Sequence, residues 1–132
     1  MRKDMKGTIL IAEDNPVNFK LLRDVLTYYN FKLIEAYDGK TAFDKITEFK
    51  DEIDLILMDL RLPEMDGLDV IKAVKQNDEL KKLPVFVISA YAMESDIKSA
   101  MEAGCNNYIT KPINVEDFLE KIEAFFRHCI NI

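Results

Sequence analysis

Four places in this chain carry residues able to do chemistry. Glu13 and Asp14 follow one aliphatic run, Asp59 ends a second, Ser89 ends a third, and Lys111 follows a fourth, just before Pro112. The most telling stretch is Ile53 to Gly67, which reads I-D-L-I-L-M-D-L-R-L-P-E-M-D-G. Leu55 to Met58 is apolar throughout, the pattern of a strand buried on both faces. A lone carboxylate at the C-terminal end of such a strand is not expected for packing, and in open α/β sheets that edge is where ligands bind. Carboxylates gathered there repel, and one is driven to take up a proton unless a cation is present. A hard divalent cation resolves the conflict. Mg²⁺ suits best, because it takes oxygen ligands and keeps several waters. A carboxylate beside Mg²⁺ can be a nucleophile, and phosphoryl transfer needs mainly positioning and neutralised charge. The chemistry read from these residues is attack by Asp59 on a phosphorus atom to give an acyl phosphate. Mg²⁺, Lys111 and the Ser89 hydroxyl would neutralise the oxygens.

That chemistry requires elements that deliver those residues to one edge. Thr8 to Ala12 reads as a buried strand ending at Glu13-Asp14-Asn15-Pro16. Asn15 is a good N-cap and Pro16 fits a first helical turn. The helix it opens runs to about Asn30, with Leu22, Val25, Leu26 and Tyr29 on one face. Phe31 to Ala36 reads as a second strand, followed by a helix carrying Ala42, Phe43, Ile46 and Phe49. Asp54 to Met58 is the central strand. Pro63 and Gly67 break the chain into a loop before a helix through Leu68, Ile71 and Val74. Pro84 to Ser89 is a fourth strand. Met93, Ile97, Ala100 and Met101 mark a fourth helix, stopped by Gly104. Asn107 to Thr110 is a short fifth strand. Asn114 caps a last helix with the stripe Val115, Phe118, Leu119, Ile122, Phe125 and Phe126. Five β–α units in alternation predict one parallel sheet covered on both faces, with right-handed crossovers. The strand ends then bring three carboxylates, a hydroxyl and a lysine together.

Bulk properties narrow the partners. The 132 residues suffice for one domain with a real core, taken here as 1–132 with a core of about 8–127. A 48% apolar and 32% charged composition is that of a soluble globular protein. The net charge of -6 disfavours unspecific nucleic-acid binding, which needs a basic footprint. No apolar stretch approaches the roughly 20 residues of a membrane span, and the charged start lacks the pattern of a signal peptide. Cys105 and Cys129 lack metal-type spacing and read as free thiols in a reducing cytoplasm. His128 reads as a surface histidine near a helix end, away from the site.

At these residues the chain resembles the receiver domain of two-component response regulators, over about Thr8 to Arg127. The likeness rests on E-D-N after the first strand, L-M-D-L-R-L-P-E-M-D-G, V-I-S-A after the fourth, and Y-I-T-K-P-I after the fifth. It implies a flavodoxin-like doubly wound sheet of strand order 2-1-3-4-5 with five helices. It implies that Asp59 takes a phosphoryl group from a phosphohistidine on a sensor histidine kinase or a histidine phosphotransfer protein. It assigns Asp14, Asp59 and the Arg61 carbonyl to Mg²⁺, with Glu13 acting through water. Ser89 and Tyr108 become a switch pair, and Lys111 a phosphate contact. Serine at 89 is a departure, since threonine is commoner there. The output face implied is the fourth helix, fifth strand and fifth helix, including Tyr91 to Met93, on a monomer or weak dimer. Arg61 and Tyr91, two residues after the nucleophile and the switch serine, would border the approach of hydrolytic water and slow self-dephosphorylation.

Other functions meet specific obstacles. The same domain could be part of a hybrid kinase; the charged lead-in weakly favours a stand-alone signalling protein. An aspartate-nucleophile phosphatase of the haloacid dehalogenase type needs a carboxylate two residues after the nucleophile, where Arg61 stands. A flavin carrier on this fold should have a Ser-, Thr- and Gly-rich loop where Glu13-Asp14 would repel a phosphate. A scaffold with a lost site would not keep the acidic set. The chain is therefore expected to catalyse only its own phosphorylation and dephosphorylation.

Overall fold

The computed structural model describes residues 6–91 and 93–130, apart from the side chains of 128–130. His128 and Cys129 are therefore outside the described side chains, as is residue 92 of the expected output segment. Strands β1 (Thr8–Ala12), β2 (Lys32–Ala36), β3 (Leu55–Asp59), β4 (Val85–Ser89) and β5 (Asn107–Thr110) alternate with five helices. These are α1 (Pro16–Tyr28), α2 (Gly39–Glu48), α3 (Gly67–Gln76), α4 (Glu94–Ala103) and α5 (Val115–Ile130). The strands form one sheet in the order β2-β1-β3-β4-β5, all neighbours parallel, as the alternating pattern predicts.

Side chains alternate across a strand, and the two faces build two cores. Leu10, Ile56, Met58, Val85 and Val87 pack with Ala42 and Ile46 of α2, Val70, Ile71 and Val74 of α3, and Ala100 of α4. Ile9, Ile11, Leu55, Leu57, Phe86 and Ile88 face Phe19, Leu22 and Leu26 of α1 and Phe118, Leu119, Ile122 and Phe126 of α5. Every residue of β3 and β4 is buried. A polar group ending either strand is therefore held in a rigid wall.

Local chemistry sets the element ends. Asn15 Oδ1 accepts from the Val17 and Asn18 N–H groups at 2.9 and 3.1 Å, opening α1 as expected. Asp38 opens α2 by accepting the Thr41 N–H at 2.7 Å. Helix α1 stops at Tyr28 rather than Asn30. Asn30 sits at φ 70, a left-handed position that asparagine tolerates, and the Phe31 N–H returns to the Leu26 carbonyl at 3.1 Å. Strand β2 accordingly begins at Lys32. The fourth-helix stripe is the larger difference. Met93 and Met101 are 71% and 49% exposed, and among the described residues of α4 the buried one is Ala100. On α5, Val115, the first residue of the helix, is exposed.

Candidate functional site

Asp59, at the end of β3, is 6% exposed, and Glu13, just after β1, is 1% exposed. A ligand oxygen from each of Glu13, Asp14 and Asp59 lies within 4.8 Å of the others. Lys111 reaches back from beyond β5, its Nζ 2.8 Å from Asp59 Oδ2 and 2.8 Å from Glu13 Oε1. Asp14 is exposed at the mouth. The other Asp59 oxygen, Oδ1, accepts the Arg61 N–H at 3.1 Å. Glu13 Oε2 accepts the Asn15 N–H at 3.0 Å. The sequence-derived set of three carboxylates and a lysine is thus one cluster.

The electrostatics follow from burial and pairing. Burial pushes the Glu13 carboxyl above its ordinary range and Asp59 adds to this, against the opposing pull of Lys111 and the Asn15 N–H. Burial alone would lower Lys111. The hydrogen bonds and charges of Asp59 and Glu13 outweigh it and hold the ammonium above its usual value. Three carboxylates against the Lys111 ammonium leave an excess of negative charge, and every donor is a hard oxygen. That set fits a divalent cation of the Mg²⁺ kind.

Ser89, fully buried at the end of β4, is one residue beyond Ile88, the register partner of Asp59. Its Oγ accepts the Tyr91 N–H at 3.1 Å. Tyr108 is half-buried on β5, and its hydroxyl donates to the Tyr91 carbonyl. Burial raises the Tyr108 phenol above its ordinary value. The Arg61 guanidinium carbon lies 4.3 Å from the Tyr91 ring centroid.

Two features were not read from the sequence. Gly67 lies directly beneath the Asp59 backbone: a Cβ there would stand 2.0 Å from the Asp59 carbonyl oxygen. The glycine after P-E-M-D was the available signal, read only as a breaker. The second is the joining of Ser89, Tyr108 and Arg61 at Tyr91, which depends on side-chain directions that spacing does not encode. Cys105 is a buried free thiol, raised by burial.

The response regulator receiver domain family model matches residues 9–123. The chain belongs to that family, whose members act in two-component signalling. It is 40% identical over 121 residues to the polar-differentiation response regulator DivK of Brucella anthropi, covering 92% of this chain and 97% of the relative. Among solved structures it is similar to the receiver domain of a sensor histidine kinase from Pseudomonas aeruginosa with a magnesium ion coordinated in its active-site cleft. The TM-score is 0.81 at 26% identity, over 92% of this chain and 98% of that one. It is also similar to a chain of the CheX–CheY complex with BeF3 and Mg from Borrelia burgdorferi, with TM-score 0.84 and 28% identity over 91% and 89%. Among the described residues no helix is long and apolar enough to cross a membrane.

Proposed function

We propose that the chain accepts a phosphoryl group on Asp59 from a phosphohistidine of a sensor histidine kinase or histidine phosphotransfer protein, with Mg²⁺ as cofactor. The observation that carries this reading is the buried Asp59 carboxylate, 2.8 Å from the Lys111 ammonium and beside Glu13 and Asp14. An Asp59 oxygen forms the new O–P bond as the donor's P–N bond breaks. The donor imidazole leaves with the bonding electron pair. Lys111 meets the charge on the phosphoryl oxygens, and the Ser89 hydroxyl donates to one of them. Asp14, Asp59 and the Arg61 carbonyl would hold the cation, with Glu13 acting through water. When bound, the cation neutralises the carboxylates and the incoming phosphoryl oxygens.

The reaction is on the chain's own side chain, with no separate substrate turned over. The readout is a shift of α4, β5 and α5 between two states that an output protein binds unequally. The setting proposed is cytoplasmic, as a monomer or weak dimer, without nucleic acid or membrane. Acetyl phosphate with Mg²⁺ should add one phosphoryl group to the parent and none to Asp59→Asn, because an amide is a poor nucleophile. Full labelling of Asp59→Asn would overturn the assignment. Amide exchange with a beryllofluoride mimic should change on α4, β5 and α5. Changes confined to α1 would overturn the output face.

A further inference from the structure

Tyr91 stands in no ordinary packing role. The residue is 42% exposed, yet it is held at three points. Its N–H donates to Ser89 Oγ at 3.1 Å, its carbonyl accepts from the Tyr108 hydroxyl, and its ring faces the Arg61 guanidinium at 4.3 Å. Arg61 is in turn tied to the nucleophile, its N–H 3.1 Å from Asp59 Oδ1. Behind the pair lies a cavity of about 250 Å³, bordered by Asp66, Asp96 and Ser99 as well as by Arg61 and Tyr91. Tyr91 is therefore the point where the nucleophile loop meets Ser89 and Tyr108.

A guanidinium stacked on an aromatic ring uses its face. The N–H donors at its edge stay free to bind oxygens in the plane. We infer that Tyr91 is a positioning platform: its ring holds Arg61 so that the free guanidinium edge meets a phosphoryl group on Asp59. Because Ser89 and Tyr108 fix the same residue, the loop after β4 then registers whether Arg61 is engaged. Coupling of this kind is reciprocal: the factor by which the formed stack raises phosphoryl affinity is the factor by which a bound phosphoryl group favours the stack. The inference rests on the phosphoacceptor role proposed for Asp59.

The size expected is modest, since an exposed cation–π contact shifts an equilibrium by about two- to fivefold. The test is a cycle of Arg61→Gln, Tyr91→Leu and the double variant, with Tyr91→Phe as the conservative rescue. Both positions are exposed, so the variants should fold. Beryllofluoride affinity in Mg²⁺ should fall about two- to fivefold in Tyr91→Leu and stay near the parent's in Tyr91→Phe. In the Arg61→Gln background Tyr91→Leu should cost nothing more. Equal affinity of Tyr91→Leu and the parent, or the same loss with and without Arg61, overturns the platform. In the absence of any phosphoryl mimic, Arg61→Gln should speed exchange of the Tyr91 amide, and an unchanged rate also overturns it. A parent that binds no beryllofluoride counts instead against the phosphoacceptor reading; the exchange measurement still decides whether ring and guanidinium are coupled.

Discussion

Replacing Lys111 by methionine removes the ammonium that lies 2.8 Å from both Glu13 and Asp59. The two carboxylates are 1% and 6% exposed, so solvent screens their mutual repulsion poorly once the ammonium is gone. The folded variant escapes by protonating one of them. Holding a carboxyl of pKa near 4.3 protonated at pH 7 costs about 1.4 kcal/mol per pH unit, roughly 3–4 kcal/mol in all. That is a ceiling, because burial already raises Glu13, and it falls in the range of about 3–5 kcal/mol seen when a buried pair is broken. With an unfolding entropy of about 2.1 cal/mol/K per residue, a loss of roughly 3 kcal/mol lowers the melting temperature by about 10 °C. The sign with pH is fixed. The native variant binds a proton that the unfolded chain releases, so its stability falls as pH rises and recovers as pH falls. Thermal melts of parent and Lys111→Met in EDTA should therefore differ by about 10 °C at pH 7 and converge toward pH 5. If Mg²⁺ binds the native cluster and not the unfolded chain, as proposed, millimolar Mg²⁺ should raise the variant's melting temperature more than the parent's. A variant that melts with the parent at pH 7, or a gap that ignores pH, would refute the claim that Lys111 neutralises a buried carboxylate pair.

Gly67→Ala should destabilise the fold by about 1–3 kcal/mol or more and slow labelling of Asp59, because the added Cβ meets backbone, 2.0 Å from the Asp59 carbonyl oxygen and 2.9 Å from Leu60 Cα. Chemical denaturation and acetyl phosphate labelling measure both effects. The Arg23 guanidinium donates to both Glu35 oxygens at 3.1 and 3.2 Å and, followed by the Tyr37 hydroxyl, holds that carboxyl below its ordinary range. Its contribution is present above the unfolded carboxylate pKa and lost as pH falls through the lower folded value. The melting-temperature advantage of the parent over Glu35→Gln should thus be seen at neutral pH and vanish in acid. Phospho-Asp59 should decay faster in Arg61→Asn with Tyr91→Ala than in the parent, since two large side chains then no longer border the approach of water. Equal decay, followed by loss of the phosphoryl group in Mg²⁺, would discard the shielding.

The sheet was legible because the burial of its strands dictates composition. Strands β3 and β4 are buried at every residue, so both read as unbroken apolar runs, and a carboxylate or hydroxyl ending such a run stands out. Glu13, Asp14, Asp59, Ser89 and Lys111 were readable for the same reason: parallel strands send their C-terminal ends to one edge. Helix α4 was legible only as a helix. Its apolar residues have helical spacing, yet Met93 and Met101 face solvent, and spacing alone cannot say whether a stripe has a partner. The contacts at Tyr91 were illegible, since they depend on rotamers and on how Arg61 leaves the loop after Asp59.

These differences in burial also bear on where a change at Asp59 can travel. Moving β3 or the neighbouring β1 would uncover side chains from both cores, which the apolar clusters on either face resist. Helix α4 is held far more lightly, with Ala100 as its buried residue among those described. Among the described residues, strand β5 has β4 as its only neighbour in the sheet. Elements with few buried apolar contacts open at the least cost in free energy. Tyr108 lies on β5 and Tyr91 just before α4, joined through the hydroxyl and the carbonyl. A group added at Asp59 that moves Arg61 or Ser89 would therefore act on the part of the fold that yields most readily, while the wall that holds Asp59 stays in place.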